Sequence, residues 1–243
     1  MDLHPLQTDG YLHIPGLLDP SDLASLSAGF DRLESIAEGL ADTAEVGGSQ
    51  FVVSQDPFAL RRVVWCGGAS PELAAFGSDP RFLDVAAQVL GRDEVVQLIQ
   101  QAHFKRPGDG VDFAWHQDAS NRRYGSDLWT DINGQGSFVQ ILVALDPAGP
   151  DNGGVAVVPG SHSMGFVSDP VTGAVPPELL DLDRAVTPAL NAGDALLFGP
   201  FLLHGSPANH GRSMRRTFIQ GYALPGANRR VYPGCGTGVV RRR

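Results

Sequence analysis

A histidine and an aspartate stand two residues apart, His116 and Asp118, within AWHQD at 114–118. On an extended strand residues i and i+2 face the same way, so both side chains can converge on one point. A lone His-x-Asp pair is more often incidental than a metal site, and only a further ligand changes that weighting. His204 is the best candidate, 86 residues beyond Asp118 (204 − 118) at the end of GDALLFGPFLLH. Taken alone, it reads better as a strand-end histidine capping a turn. Together, two histidines and one carboxylate are the facial ligand set of non-haem Fe(II), which leaves three coordination positions open. A bidentate 2-oxo acid and dioxygen would fill them.

A 2-oxoglutarate cosubstrate also needs a cation for its distal carboxylate, and the planar fork of arginine matches that group in two parallel hydrogen bonds. Arg215 follows His204 by 11 residues (215 − 204), at the start of RRTFIQGYAL. On a neighbouring antiparallel strand it can return beside the metal, with Arg216 facing the opposite side. In the absence of His204 it would equally well be a surface arginine at a strand edge.

The elements that must position these groups are legible as short β-forming runs at 95–105, 113–117, 138–145, 154–158, 195–198, 201–204 and 216–223. Gly, Pro, Asn and Asp bound them, as expected of antiparallel strands, and seven or so such strands predict a jelly roll, a mainly β fold with flanking helices. Residues 1–94 read as a helical lead-in. A short strand at 10–17 precedes a helix at 21–41, where Leu23, Leu26, Phe30, Leu33, Ile36 and Leu40 recur three or four apart. A second helix should follow Ser78-Asp79-Pro80 and stop near Gly91. Two irregular segments, 119–136 and 163–187, interrupt the strand pattern, and loops this long are usually functional or mobile. Neither resembles a linker, so one domain over 1–243 is expected, with its jelly-roll core at 95–225.

Composition excludes several classes. The formal net charge of −9 disfavours a nucleic-acid binder, which needs clustered Lys and Arg. The one basic run, Arg241-Arg242-Arg243, reads as a solvated tail. Two cysteines without a CxxC, Cys66 and Cys235, support neither a disulfide framework nor a structural zinc site, and they read as incidental. No apolar run approaches the length of a membrane span and no secretory signal opens the chain, so a cytoplasmic protein, monomeric or homodimeric, is expected. His162 in the PGSH turn reads as structural, His4, His13 and His210 as loop residues without partners, and Trp115 as barrel packing.

HQD at 116–118, DNGGVAVVPGSH at 151–162 and GDALLFGPFLLHGS at 193–206, with Arg215 beyond, resemble the phytanoyl-CoA dioxygenase family. The opening DGYLHIPGLLDPSDLASL is similar to the family's first strand and helix, so the resemblance covers nearly the whole chain. It implies a double-stranded β-helix (a jelly-roll barrel) and an Fe(II)- and 2-oxoglutarate-dependent oxygenase that consumes dioxygen. By this resemblance His116, Asp118 and His204 are the iron ligands, Arg215 binds the 2-oxoglutarate 5-carboxylate, and Ser206 supports it. Gln101 and His103 would approach the cosubstrate. Where the family often places an aromatic residue in that pocket, this sequence has Ile141 or Leu142. Related halogenases lack the carboxylate ligand, so the presence of Asp118 points to oxygenation.

Substrate choice should rest on the 119–136 loop, where Asn121, Arg122, Arg123, Tyr124, Asp127, Trp129 and Asp131 mix hydrogen-bonding groups with aromatic faces. An exposed loop is polar in any case, which weighs nearly as much. The expected activity is hydroxylation or oxidative cyclisation of a polar small molecule. A natural-product intermediate fits, such as a glycoside (with orthoester closure as one outcome) or an amino-acid derivative, as in antibiotic biosynthesis. The alternatives are an acyl-CoA or fatty-acid hydroxylase of the same family, a non-catalytic cupin-like metal binder, and a zinc hydrolase. A mere metal binder would have no use for Arg215, and no general-base carboxylate stands at a recognisable spacing.

Overall fold

The structure, a computed structural model, describes residues 1–56 and 58–243. In chain order the elements are α1 (His4–Thr8), β1 (Tyr11–Ile14), α2 (Pro20–Ala37), β2 (Ala44–Val46), β3 (Ser49–Gln55), β4 (Phe58–Val64), α3 (Pro71–Ala75), α4 (Pro80–Leu90) and β5 (Glu94–Lys105). Then follow β6 (Phe113–His116), α5 (Asp118–Asn121), β7 (Phe138–Ala144), β8 (Ala156–Val157), β9 (Ala195–Phe198), β10 (His204–Ser206), β11 (Arg215–Ala223) and β12 (Val239–Arg242). The strands form two antiparallel sheets. The larger runs β1-β9-β7-β11-β5-β4-β3-β2, with β12 also on β5, and the smaller runs β6-β10-β8. The fold is a jelly roll whose large sheet does not close into a barrel.

The two helices predicted from periodicity have clear start signals, and α4 a clear stop. Asp19 caps α2 through a capping box with Asp22, and Asp79 caps α4 ahead of Pro80. Gly91 ends α4 in the left-handed conformation, with its N–H on the Ala87 carbonyl. Both helices cover the outer face of the large sheet. Phe30 of α2 packs on Phe104 of β5, with ring centroids 5.0 Å apart, and Phe82 of α4 packs on Phe218 of β11. Strand alternation then fixes the inner face: Ile99, Gln101 and His103 of β5, Gln140 and Leu142 of β7, and Arg215, Thr217 and Ile219 of β11 all line one cavity.

Several expectations are corrected. Residues 1–94 are not a helical lead-in throughout, because β2, β3 and β4 extend the large sheet beyond β5. The alternating burial of SQFVVSQ, with Ser49, Phe51 and Val53 buried, is the strand period itself. The run 201–204 is a strand only at its last residue: Phe201–Leu203 cross the core irregularly, with the Leu203 N–H held by Ser161 Oγ. The C-terminal arginines are no loose tail. β12 pairs with β5, Arg241 donates to Gln97 and Ser78, Arg242 bonds Glu94 and Arg243 bonds Asp84. His13 is not partnerless, since its Nε2 lies 2.9 Å from Asp194 and so ties β1 to the turn before β9. Among the described residues no helix is long and apolar enough to cross a membrane.

Candidate active site

The smaller sheet builds the centre. β6 and β10 are antiparallel neighbours with His116 directly opposite His204, and the two imidazole centroids stand 4.2 Å apart. β6 ends at His116; Asp118 opens the short helix α5, and Gln117 between them stays extended, so the i, i+2 relation survives the change of element. His116 Nε2 is 3.9 Å from Asp118 Oδ1, and one ligand atom from each of the three residues lies within 4.8 Å of the others. Trp115 packs over Gly205 behind the pair, in keeping with a packing role.

Both histidines are oriented by the same local device. His116 Nδ1 donates to the Ala114 carbonyl at 2.7 Å, and His204 Nδ1 donates to the Leu202 carbonyl at 3.0 Å. A carbonyl only accepts, so each proton sits on Nδ1 and each Nε2 keeps a lone pair for a metal. Burial above all pushes His204 down to about 4, which keeps it neutral and ready to ligate. Asp118 is buried, and its Oδ2 has no hydrogen-bond partner among the described residues. A buried carboxylate oxygen without a donor is costly unless something cationic faces it. Two lone-pair imidazoles, an unsatisfied carboxylate oxygen and room on the cavity side together fit a facial iron(II) site.

Arg215 enters the same cavity from β11 at 1% exposure. Its Nη1 donates to Thr217 Oγ1 and its Nη2 to Ser206 Oγ, both at 3.0 Å, while Nε has no partner among the described residues. Among the described residues no carboxylate pairs with it, and burial lowers the guanidinium to about 10. Ser206 Oγ accepts from Arg215 and from Lys105 Nζ and donates to the Gly153 carbonyl. Lys105 is enclosed and also donates to the Ser206 and Pro207 carbonyls. Burial, then Arg215, pushes its amine down to about 7, against the pull of Asp112 and Asp109. Gln101 and His103 face the cavity and bond each other at 2.8 Å, with His103 stacked on Phe113. Burial, then Arg62, holds His103 well below its ordinary pKa, so it is neutral. Of Ile141 and Leu142, only Leu142 lines the cavity, beside Phe198.

The loop candidates divide. Asn121 and Arg122 line the cavity, whereas Arg123, Tyr124 and Trp129 do not. Arg123 is exposed. Tyr124 packs against Phe166 and Phe201 with its hydroxyl on Asp131, and Trp129 is buried on Phe138 with Nε1 on the Gly136 carbonyl. Their aromatic rings serve the loop's own packing. Sequence reasoning passed over Arg62, Arg230 and Tyr232, which come to the cavity from β4 and from the segment after β11. It also passed over Gln117, whose fully buried amide donates to the Gly165 and Phe201 carbonyls and accepts from the Val167 and Ser168 N–H groups. Between two ligands, this side chain points away from them and clamps the approach of β10 to the start of the 163–187 loop. His162 bonds the Gln7 carbonyl, a structural contact.

Residues 6–217 match the model of the phytanoyl-CoA dioxygenase family. The chain belongs to this family. An ectoine dioxygenase of Streptomyces anulatus is 26% identical over 96% of this chain and 73% of its own length. Among solved structures, AviO1 from Streptomyces viridochromogenes Tue57 is 25% identical, with a TM-score of 0.67 over 93% of this chain and 94% of that one. EctD from S. alaskensis, solved with 2-oxoglutarate and 5-hydroxyectoine, shares the fold at a TM-score of 0.71 and 23% identity, over 90% of this chain and 74% of that one. The family member described here is an Fe(II)- and 2-oxoglutarate-dependent dioxygenase with His116, Asp118 and His204 as its iron-binding triad.

Proposed function

We propose that this dioxygenase oxidises a C–H bond of a polar small molecule, by hydroxylation or ring closure, with the whole chain acting as one oxygenase domain. The substrate is read as a natural-product intermediate, a glycoside or an amino-acid derivative. One observation carries this reading. The cavity holding the triad, of about 220 Å3, has Asn121, Arg122, Gln140, Arg230 and Tyr232 in its wall, hydrogen-bonding groups that a fatty acyl chain would leave unsatisfied. A cytoplasmic enzyme, monomeric or homodimeric, is part of the same reading, which fractionation and light scattering test.

Each residue then has a task. Iron held by His116, Asp118 and His204 would, with 2-oxoglutarate bound, supply the oxidising chemistry for the C–H bond. The Nδ1 hydrogen bonds of His116 and His204 hold both rings with Nε2 inward, and Asp118 contributes the anionic ligand. Arg215, held in place by Ser206 and Thr217, would receive the distal carboxylate of 2-oxoglutarate. Gln101 and the neutral His103 supply hydrogen bonds along the cosubstrate. Phe113, Leu142, Phe198 and Ile219 keep water from the reacting carbon.

Anaerobic titration of the protein with Fe(II) and 2-oxoglutarate, followed by the visible metal-to-ligand charge-transfer band, tests the site. The band is expected for the wild type, absent for His116→Ala and much weakened for Arg215→Ala. Aerobic succinate release across a panel of glycosides, amino-acid derivatives and acyl-CoAs tests the substrate. Stimulation by acyl-CoAs alone would overturn the polar reading.

A further inference from the structure

Arg122 is 6% exposed, and its guanidinium makes no hydrogen bond and no ion pair among the described residues. Its only partners are ring faces, with Phe138 and Tyr232 each 4.9 Å from its carbon to the ring centroid. Stacking of this kind returns about 1–2 kcal/mol, less than enclosing an unsatisfied charge costs. A second guanidinium, Arg230, lies over the same Tyr232 ring at 5.0 Å. It spends one N–H on the Asn121 carbonyl and has no carboxylate partner among the described residues. Arg62, on β4, lines the cavity as well, again without an acid, and its Nε is enclosed and unpaired.

Outside the cavity Arg81 pairs with Asp22, Arg106 with Glu34 and Arg216 with Asp146. Among the described residues no arginine of the cavity wall has such a pair, and Asp118 is the one acid in that wall. Charge accounting makes the surplus specific. Iron(II), Asp118, the 2-oxoglutarate dianion and Arg215 sum to zero (2 − 1 − 2 + 1). Arg62, Arg122 and Arg230 remain, three positive charges inside a protein whose net charge is −9. A cleft of one sign in a protein of the other focuses its field on an incoming anion.

We infer that the substrate carries an anionic oxyacid group, a carboxylate or a phosphate ester, which docks on Arg122 and Arg230 around Tyr232. This deepens the polar-substrate reading and rests on it. The anion supplies the acceptors that the Arg122 guanidinium lacks in the free protein, and the Tyr232 ring keeps both cations stacked and oriented for it. Arg122 follows Asp118 by four residues (122 − 118), on the turn that places that ligand. Docking there therefore registers the substrate against the metal, which makes Arg122 a specificity-determining residue.

The test uses the protein loaded anaerobically with Fe(II) and 2-oxoglutarate, titrated by calorimetry with sodium acetate or sodium sulfate. Acetate stands for a carboxylate and sulfate for a phosphate ester, and the tighter of the two names the group. Wild type is expected to bind one anion at least tenfold more tightly than Arg122→Gln and severalfold more tightly than Arg230→Gln. Arg122→Lys, which keeps the charge without the fork, should fall between wild type and Arg122→Gln. The charge-transfer band of 2-oxoglutarate should be unchanged in Arg122→Gln. Equal anion binding by wild type and Arg122→Gln, or no binding by wild type, overturns the inference. Loss of the band in Arg122→Gln overturns it too, by assigning Arg122 to the cosubstrate. A wild type that never forms the band instead sinks the oxygenase site, whatever the anions do.

Discussion

Replacing Arg215 by methionine should strengthen the empty protein while crippling its use of 2-oxoglutarate. The side chain is 1% exposed and, among the described residues, donates only to two neutral hydroxyls and pairs with no carboxylate. Burial lowers the guanidinium to about 10. At roughly 1.4 kcal/mol per pKa unit, the charged form is disfavoured in the folded state by about 3 kcal/mol. Methionine fills a similar volume without a charge, and the donor lost at Thr217 costs about 1 kcal/mol. The net gain is about 2 kcal/mol, or a rise in Tm of about 4–8 °C for a chain of this size. Binding should move the other way. A charge-assisted carboxylate pair in a buried site is worth about 3 kcal/mol, so the 2-oxoglutarate Kd should rise about a hundredfold. Scanning calorimetry with and without Fe(II) and 2-oxoglutarate reads both effects in one experiment. The reasoning fails if the ligand-free methionine variant melts below wild type, or if 2-oxoglutarate stabilises both proteins equally.

Gln117→Ala should cost about 2–4 kcal/mol by orphaning buried backbone groups of Gly165, Phe201, Val167 and Ser168. It should also weaken Fe(II) binding although Gln117 is no ligand; a melting curve and a metal titration check both effects. Asp194 gives a pH prediction. Burial would raise its carboxyl, but the Gly16 and Asn191 N–H groups and His13 outweigh burial and hold it below its ordinary value. Its contribution is therefore complete above the ordinary carboxylate pKa of about 4 and lost as pH falls through the lowered value. Asp194→Asn should flatten the decline in Tm below about pH 4 and lower Tm at pH 7. Gly10 has a φ of +84°, and a methyl group there would collide with the His162 ring. Gly10→Ala should accordingly cost about 2 kcal/mol or more by thermal melting.

What the sequence disclosed follows from what alternation can encode. His116, Asp118, His204 and Arg215 lie in or beside strands whose period puts them on one face, so their types and order could be read together. Gln101 and His103 were accessible for the same reason, being two apart on β5. Arg62 and Tyr232 were not, because β4 reaches the cavity only by joining the edge of β5, and the 224–238 segment only by folding back across it. No local pattern states which distant strand will share an edge. Tyr124 and Trp129 misled for the converse reason. Aromatics in a polar loop look like a ligand platform, yet a loop that long needs a small core of its own, and these two rings provide it.

The paired arginines 215 and 216 show how the fold reserves one cation for a ligand. Adjacent residues on β11 face opposite sides, so Arg215 points into the cavity and Arg216 toward α2. Asp146 takes Arg216 through both carboxylate oxygens and also accepts its backbone N–H. The electrostatic outcomes diverge accordingly: the Asp146 hydrogen bonds raise Arg216, while burial lowers Arg215. A register slip of one residue would exchange the two, presenting Asp146 with the wrong strand face and exposing the helix-facing Phe218 to the cavity. Asp146 therefore does two things at once. It pins the register of β11, and by consuming the neighbouring guanidinium it leaves Arg215 as the cation with nothing but hydroxyls to bind until an anion arrives.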